Sequence, residues 1–503
     1  MKSLKNFMFR RATLVTLAIL IQMVLLVWVV LEFQYFIYFY IFSMVISALV
    51  VIGIINSESK YIYKIAWIIP ILIFPIFGGI FYVFFGLNPL TRKMKREMNR
   101  INLDTKDVLM KDTNVLDELP SQTKTQSNYI YNNAYMPPYK NTIVEYLPNG
   151  ETAFQKLIEE LEKAEKYIFL EYFIIKQGYM WKRILDILIR KAQAGVDCRV
   201  IYDDFGCLLN LPHNYHKQLE KYGIKCAIFN PIVPILTKRH NTRNHRKIAV
   251  IDGKVAFTGG INIGDEYINV NSRYGYWKDT AVLLKGEAVW SFTVMFLSMW
   301  SYLTKTQVDY AKFKDDVIGV NGEGFVQPYN DNPIDNENVG EIVYLNLINK
   351  ATKSIYITTP YLIIDSEMLT ALTAAAKAGL DVRIITPHVP DKWYVHIVTQ
   401  SYYKTLLKSG VKVYEYKPGF IHAKMMMVDD EYGTIGTINM DYRSLYLHFE
   451  CGVWMYQTPC IKDMKQDFLE TLEQSEEITL TYFRGKWLKQ LIAMIFRIFA
   501  PLL

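Results

Sequence analysis

The chain opens on three apolar stretches. Residues 12–31 carry no charge and have about the length of one bilayer-spanning helix. Glu32 and Gln34 interrupt the pattern, and residues 36–55 form a second uncharged stretch. After a polar loop comes a third, residues 65–85, broken by Pro70, Pro75, Gly78 and Gly79. No short apolar run ends in a small-residue cleavage site, so the pattern predicts a retained membrane segment over residues 1–90 and not a removable leader. Lys2, Lys5, Arg10 and Arg11 precede the first stretch; Arg92, Lys93, Lys95, Arg96 and Arg100 follow the third. Positive charge favours the cytoplasmic side, and both ends carry it. Two spans plus a re-entrant element satisfy both ends, whereas three full spans satisfy one, and both arrangements stay open.

Beyond residue 90 the texture changes. Residues 91–140 are polar, basic at their start and weakly periodic, which predicts a juxtamembrane helix and a linker. From residue 141 helix-spaced and strand-like runs alternate: 153–164 helical, 167–175 strand, 181–194 helical, 197–202 strand. The block then recurs. KYIFLEYFII…ILIRKAQAGVDCRVIYDD from Lys166 is matched by KSIYITTPYLII…ALTAAAKAGLDVRIITPH from Lys353. Each copy is followed by a helix ending in glycine, KYGIKCAIF at Lys221 and KSGVKVYEY at Lys408. The expectation is an α/β fold of two repeats, residues 141–330 and 331–480, in a pseudo-two-fold arrangement. A tail, 481–503, carries Lys486, Trp487, Lys489 and Arg497 among apolar residues, and suits either a lipid interface or packing on the core.

Composition narrows the class. Hydrophobic residues make up 51% and charged residues 21% of 503, with a mean hydropathy of +0.08. That is apolar for a soluble protein and too polar for a transporter, as expected of a globular domain on a membrane segment. The net charge of +7 suits anionic lipid head groups, and equally nucleic acid. Cys198, Cys207, Cys226, Cys451 and Cys460 form no CxxC pair or zinc spacing, which predicts reduced thiols and a cytosolic face for the globular part.

The chemistry sits at the end of each repeat. NHRKIAVIDGKVAFTGGINIGDEY contains His245, Lys247, Asp252, Gly259, Gly260 and Asn262; IHAKMMMVDDEYGTIGTINMDYRS contains His422, Lys424, Asp429, Gly436, Thr437 and Asn439. Every member of the second set lies 177 positions after its counterpart. His and Lys two apart on a strand point to one face, and the Gly-rich turn returns an Asn towards them. Two such half-sites facing each other offer two imidazoles, two ammonium groups and two amides. That set suits a phosphodiester: cations and amides hold the oxygens, one imidazole attacks and the other protonates the leaving oxygen. The symmetry does not say which attacks. No clustered carboxylates of a two-metal site and no nucleotide-binding glycine loop occur, so neither metal nor nucleotide cofactor is expected.

The duplicated HxKxxxxD pattern resembles the phospholipase D superfamily. FNPI at Phe229, RNHRKIAVIDG at Arg243, FTGGINIGDEY at Phe257, PDKW at Pro390, YKPGFIHAK at Tyr416 and GTINMDYRS at Gly436 resemble, more narrowly, the bacterial cardiolipin synthases. The likeness runs from the apolar N-terminus nearly to the last residue. It implies His245 as nucleophile and His422 as general acid, with Lys247, Lys424, Asn262 and Asn439 binding phosphate and Asp252 and Asp429 completing the motifs. Asp279 in YWKDT and Glu450 in HFECG match acidic positions that orient the imidazoles. His448 stands where the family has Asn. Glu171 and Tyr361 either line the cleft or close strand edges; His240 and His388 are placed in loops near the site, and His213, His216 and His396 at the surface. The implied reaction joins two phosphatidylglycerol molecules into cardiolipin at the cell membrane. A hydrolytic phospholipase D, a nuclease and a catalytically dead scaffold are the rival readings. The membrane segment argues against the nuclease, and the two intact HxK pairs argue against the scaffold.

Overall fold

In a computed structural model the described residues are 36–500, apart from 58–59, 75–77, 80–81, 83–91, 111–113, 233–241, 316–318, 334, 336 and 486, with isolated positions before residue 36. Among the described residues, eight strands come from each half. The first set is β1 (Thr142–Leu147), β2 (Tyr167–Tyr172), β3 (Asp197–Asp203), β4 (Lys225–Phe229), β5 (Arg243–Asn244), β6 (Lys247–Ile251), β7 (Val255–Gly259) and β8 (Ala281–Gly286). The second is β9 (Phe325–Asp331), β10 (Ser354–Thr358), β11 (Asp381–Pro387), β12 (Lys412–Tyr416), β13 (Met425–Val428), β14 (Tyr432–Gly436), β15 (His448–Tyr456) and β16 (Ser475–Ile478). One path is followed twice, β1-β8-β7-β6-β2-β3-β4 and β9-β15-β14-β13-β10-β11-β12, with β16 added at the second edge. In each, an antiparallel meander joins a parallel triplet. The duplication expected from the sequence is therefore a duplication of topology. Short β5 breaks the separation, because it pairs in parallel with the first two residues of β15 in the other repeat.

The central strands are buried on both faces, so they read as continuous apolar runs and not as alternation. In β6, Ile248 and Val250 enter one core while Ala249 and Ile251 enter the other. Helices Gly150–Lys163 and Tyr179–Gln193 cover the outer face of the first sheet. The inner core runs through helix Val289–Thr304 into the second sheet, with Phe296 stacked on Phe169 at 4.5 Å. One core shared by both repeats keeps the two half-sites in fixed register.

Residues 91–140 keep the expected helix but are packed on the core where a linker was expected. They form helices Arg92–Leu109 and Ser121–Ala134, and Met98, Ile101, Leu109, Ile130 and Ala134 are buried in the inner core. The periodicity was hidden because polar residues share the buried face: Thr105, Thr123, Gln126 and Ser127 are buried too. Ser127 donates to Gln327 (2.7 Å), and the Trp454 indole donates to Gln126 (3.1 Å).

Taken over the described residues alone, no helix is long and apolar enough to cross a membrane, so the expected multi-pass segment is unconfirmed. Helix Phe36–Ile55 carries no charge, and helix Tyr61–Ile73 contains Pro70. Lys60, which precedes the second of these helices, donates to Glu341 (2.8 Å) and Asp365 (3.2 Å) of the second repeat. Lys2, Lys5, Arg10 and Arg11, and most of residues 12–31, lie outside the described residues.

Candidate active site

His245 sits between β5 and β6, and His422 just before β13. The opposite repeat holds both backbones in the same way. The His245 N–H donates to the carbonyl of Phe449 (2.9 Å), and the His422 N–H to that of Lys278 (2.7 Å). Each carbonyl belongs to the residue preceding a carboxylate. The pairing therefore sets Glu450 against His245 and Asp279 against His422. His245 Nδ1 lies 2.9 and 3.0 Å from the two Glu450 oxygens, and His422 Nδ1 lies 2.6 Å from Asp279 Oδ2. A carboxylate accepting from Nδ1–H fixes the tautomer and leaves Nε2 of each ring for chemistry. Each repeat thus supplies the carboxylate for the other repeat's imidazole, so neither half-site is complete alone.

The lysines fold back beside their histidines. Lys247 Nζ donates to the His245 carbonyl (2.6 Å), and Lys424 Nζ to the His422 carbonyl. All four side chains are buried. Burial pushes Lys247 down to about 8, with Glu450 opposing the fall. Burial pushes Lys424 down to about 7, and the charge of Lys247 adds to it. Burial likewise pushes His245 down to about 3 and His422 to about 4, each helped by a neighbouring lysine. Burial acts to raise Glu450 and Asp279, but the facing imidazoles and lysines outweigh it and hold both carboxyls below their usual range. The result is two neutral imidazoles beside two dehydrated ammonium groups. The two ammonium groups balance the two carboxylates, so an anion placed among them would add negative charge and raise both histidines.

The supports of the two carboxylates differ. Glu450 accepts from the hydroxyls of Thr437 and Ser444, the latter at 2.6 Å. Asp279 accepts from its neighbour's backbone, Thr280 N–H (2.9 Å), and lies 3.5 Å from the Trp277 indole nitrogen. Gly260 occupies the place of Thr437, and a Cβ there would fall 2.0 Å from Asp279 Oδ1, so only glycine allows this approach. Aromatic rings wall both histidines: Phe173 at 5.0 Å from His245, and Trp277, Phe420 and Tyr267 at 5.3, 5.7 and 5.8 Å from His422. Asn262 is committed within the protein, accepting from Ile174 N–H (3.0 Å) and donating to Tyr267 (2.8 Å). Asn439 keeps its Oδ1 buried without a partner.

Asp252 and Asp429, grouped with the catalytic residues by the motif, are placed elsewhere. Each follows the far end of the strand that starts beside its lysine, about 16 Å away at 3.3 Å per residue. Asp252 accepts from the N–H groups of Glu165 (2.7 Å), Lys166 (2.8 Å) and Tyr167 (2.7 Å). Asp429 accepts from those of Thr352, Lys353 and Ser354 (2.7, 2.7 and 2.8 Å). Both have positive φ, at 53° and 55°. They lock the turn after the catalytic strand to the entry of β2 or β10, and they touch no reacting group.

The remaining candidates divide. Glu171 is fully buried, accepts from Asn244 (2.7 Å) and lies 4.0 Å from Arg246; burial raises its carboxyl to about 7. Tyr361 donates to Asp391 (2.6 Å), and its ring is 6.5 Å from Phe420, the neighbour of His422. His388 pairs with Glu415 (3.0 Å). His396, expected at the surface, is mostly buried against Gln400 and Glu415, because its helix packs on β12. His213 is exposed, His216 half-buried, and His240 lies outside the described residues. His448 lies with its ring 5.6 Å from that of His245 and its Nδ1 3.8 Å from Glu450. Thr437, Ser444 and Trp277 were missed as supports. Thr437 and Ser444 lie within the GTINMDYRS string, but nothing in their spacing tells which carboxylate they reach. Among the described residues two trios have metal-type donors within reach of one ion, His245/His448/Glu450 and Glu341/Asp365/Glu367, and Lys60 already neutralises the second.

Comparison with known proteins agrees with this geometry. The model of the "Cardiolipin synthase, PLD-like domain" family matches residues 157–300 and 344–472, one segment in each repeat. The "Phospholipase D-nuclease N-terminal" model matches residues 44–86. The chain is 36% identical over 466 residues to a cardiolipin synthase of Geobacillus sp. (strain WCH70), covering 91% of this chain and 92% of that one. It is 36% identical over 471 residues to cardiolipin synthase 2 of Bacillus anthracis, covering 91% and 90%. An uncharacterized Streptococcus mutans protein is 46% identical over 457 residues, covering 90% and 99%. Among solved structures, phosphatidylserine synthase from Haemophilus influenzae shares the fold at a TM-score of 0.57 and 16% identity, over 76% of this chain and 98% of that one. The chain belongs to the cardiolipin synthase family, phosphatidyltransferases of the phospholipase D type.

Proposed function

We propose that this enzyme makes cardiolipin from two molecules of phosphatidylglycerol and releases glycerol. The observation that carries the reading is the crossed pair of imidazole–carboxylate contacts with a buried lysine beside each. A phosphodiester entering between the lysines replaces their lost water and raises the depressed histidines. His245 Nε2 attacks phosphorus; the bond from phosphorus to the glycerol oxygen breaks, and a protonated His422 gives that oxygen its proton. The phosphatidyl group is then held on His245. The terminal hydroxyl of a second phosphatidylglycerol attacks it, His422 takes the hydroxyl proton, and cardiolipin leaves with His245 restored. Lys247, Lys424 and the uncommitted Asn439 side chain hold the nonbridging oxygens. Asp252 and Asp429 take no part. Burial of the aromatic-walled centre supports an alcohol acceptor over bulk water. No step calls for a metal, a nucleotide or a nucleic acid.

The reading places the enzyme on a membrane, with residues 1–90 as a multi-pass anchor and the catalytic part on the cytoplasmic side. The uncharged, largely exposed helix Phe36–Ile55 supports this. So does helix Trp487–Ile498, which packs Arg497 over Tyr402 (4.1 Å) yet exposes Trp487, Leu491, Met494 and Ile495. The test is product analysis with phosphatidylglycerol as the sole lipid in mixed micelles. Equal amounts of cardiolipin and glycerol are expected, and excess glycerol should drive cardiolipin back to phosphatidylglycerol. Phosphatidic acid as the main product at every glycerol concentration would make the enzyme a hydrolase instead.

A further inference from the structure

We propose that His245, His448 and Glu450 form an inhibitory binding site for a divalent ion of the zinc type, which switches the enzyme off by occupying the attacking histidine. One donor atom of each residue lies within 4.8 Å of the donor atoms of the other two. Donor atoms around tetrahedral zinc lie about 3.4 Å apart, given bonds of about 2.0–2.1 Å, so closing the trio takes a shift of about an ångström.

His448 supplies an independent observation. Its side chain is 10% exposed, and neither ring nitrogen has a hydrogen-bond partner. Buried polar groups are ordinarily paired, and an orphaned pair of ring nitrogens facing another imidazole and a carboxylate signals an absent ligand. The donor chemistry selects the ion. Two imidazoles and one carboxylate with a fourth position open make a set that takes zinc. Magnesium and calcium prefer oxygen donors and would find only one such residue here.

The site belongs to one half of the centre only. Around His422 the corresponding space is filled by Trp277, Phe420 and Tyr267, which offer no third strong ligand. Lys247, beside His245, opposes a second cation, so the affinity is expected to be micromolar and not that of a structural zinc. An ion bound on the Glu450 side meets His245 at Nδ1, replaces the proton that Glu450 accepts there and draws electron density from the ring, so Nε2 loses the basicity it needs to attack phosphorus. Metal binding and catalysis then exclude each other, and the switch is reversed by chelation.

The test uses the full chain in detergent micelles, stripped with a chelator and titrated with Zn²⁺ against a colorimetric competitor. His448→Asn and His448→Gln are measured beside the wild type, with thermal unfolding as a check on folding. The wild type should bind one more zinc per chain than either variant, or bind it at least about tenfold more tightly. Cobalt(II) at the same site should show no thiolate charge-transfer band, because none of the three ligands is a cysteine. Zinc should abolish wild-type turnover, while either variant keeps most of its zinc-free activity and needs at least about tenfold more zinc for the same inhibition. Equal zinc binding by wild type and both variants would overturn the proposal. So would stoichiometric zinc binding that leaves turnover intact. Zinc binding is read without any lipid, so a failure of the cardiolipin reading would leave this result interpretable.

Discussion

The two half-sites share a scaffold and differ in how they hold one charge. Both present a histidine whose backbone is pinned by the other repeat, and both fold a lysine back onto that histidine's carbonyl. The first repeat contributes a short carboxylate, Asp279, brought close by the absence of a side chain at Gly260. The second contributes a longer one, Glu450, fastened by two hydroxyls and contacting His245 through both oxygens. The difference teaches that the two repeats keep the imidazoles and lysines in matching positions while the supports of their carboxylates differ. In the proposed mechanism, a carboxylate that meets its ring with both oxygens orients His245 for attack. Asp279 meets its ring with one oxygen, which in the same mechanism leaves His422 freer to pass a proton back and forth.

The largest effect should come from the carboxylates. Glu450→Gln and Asp279→Asn should each lower turnover by about 10³–10⁴-fold, the scale seen when a catalytic histidine loses its orienting carboxylate. The crossing makes a sharper demand. In ¹⁵N-histidine spectra Asp279→Asn should move the ring of His422 and leave His245 in place, and Glu450→Gln should do the reverse. Effects confined to the histidine of the same repeat would break the crossed arrangement.

Next comes the position where the halves differ by one side chain. Gly260→Ala drives a methyl group onto Asp279 and should lower turnover by about 10²-fold, as expected of a displacement near 1 Å. Thr437→Ala removes one hydroxyl from a carboxylate that keeps Ser444, and should cost about tenfold. Equal losses from the two would mean that the supports are interchangeable.

The lysines sharpen the comparison through pH. Their ammonium groups are charged below about 8 for Lys247 and about 7 for Lys424. The imidazoles are neutral above about 3 for His245 and about 4 for His422. Because the mechanism needs His422 protonated, kcat/KM, which reports the free enzyme, should fall as pH rises above about 4, and fall more steeply through 7 to 8, when phosphate loses its cations. Lys424→Arg should shift the alkaline fall upward, since a guanidinium keeps its proton. A profile flat to pH 9 in both forms would contradict this role of the lysines.

The smallest effect on chemistry is expected at the motif aspartates. Asp252→Asn and Asp429→Asn each leave backbone donors at a strand entry poorly satisfied, and should cost roughly 1–3 kcal/mol of stability. Turnover per folded molecule should stay within about twofold of wild type, a change worth under 1 kcal/mol in the barrier. A large loss of kcat in a fully folded variant would return these residues to the catalytic centre.

Much of this was legible in the chain. The two repeats and the paired His and Lys follow from motifs and register, because they depend on local spacing and on a pattern that occurs twice; Asp279 and Glu450 stand 171 and not 177 positions apart and are named only through the family resemblance. The crossing was not legible. His422 and Asp279 are 143 residues apart and His245 and Glu450 are 205 apart, and only the interlocking of β5 with β15 brings the second pair together. The motif aspartates misled for the opposite reason: constant spacing from a catalytic lysine looks like shared chemistry, yet five residues of strand carry the side chain to the other end of the sheet. The juxtamembrane helix was legible in residues 91–140, but the second helix and the burial of both were not, because Thr105, Gln126 and Ser127 interrupt their apolar faces.

The claim that the halves have different tasks is tested most directly with a phosphodiester bearing a nitrophenol leaving group, which needs no protonation to depart. His422→Ala should release a burst of nitrophenol equal to the enzyme present and accumulate a phosphoryl group on His245. His245→Ala should give no burst. With phosphatidylglycerol, whose glycerol must be protonated to leave, both variants should be nearly inactive, the acid alone being worth about 10²–10⁴-fold. A burst that survives in His245→Ala and vanishes in His422→Ala would contradict the assignment and make His422 the nucleophile.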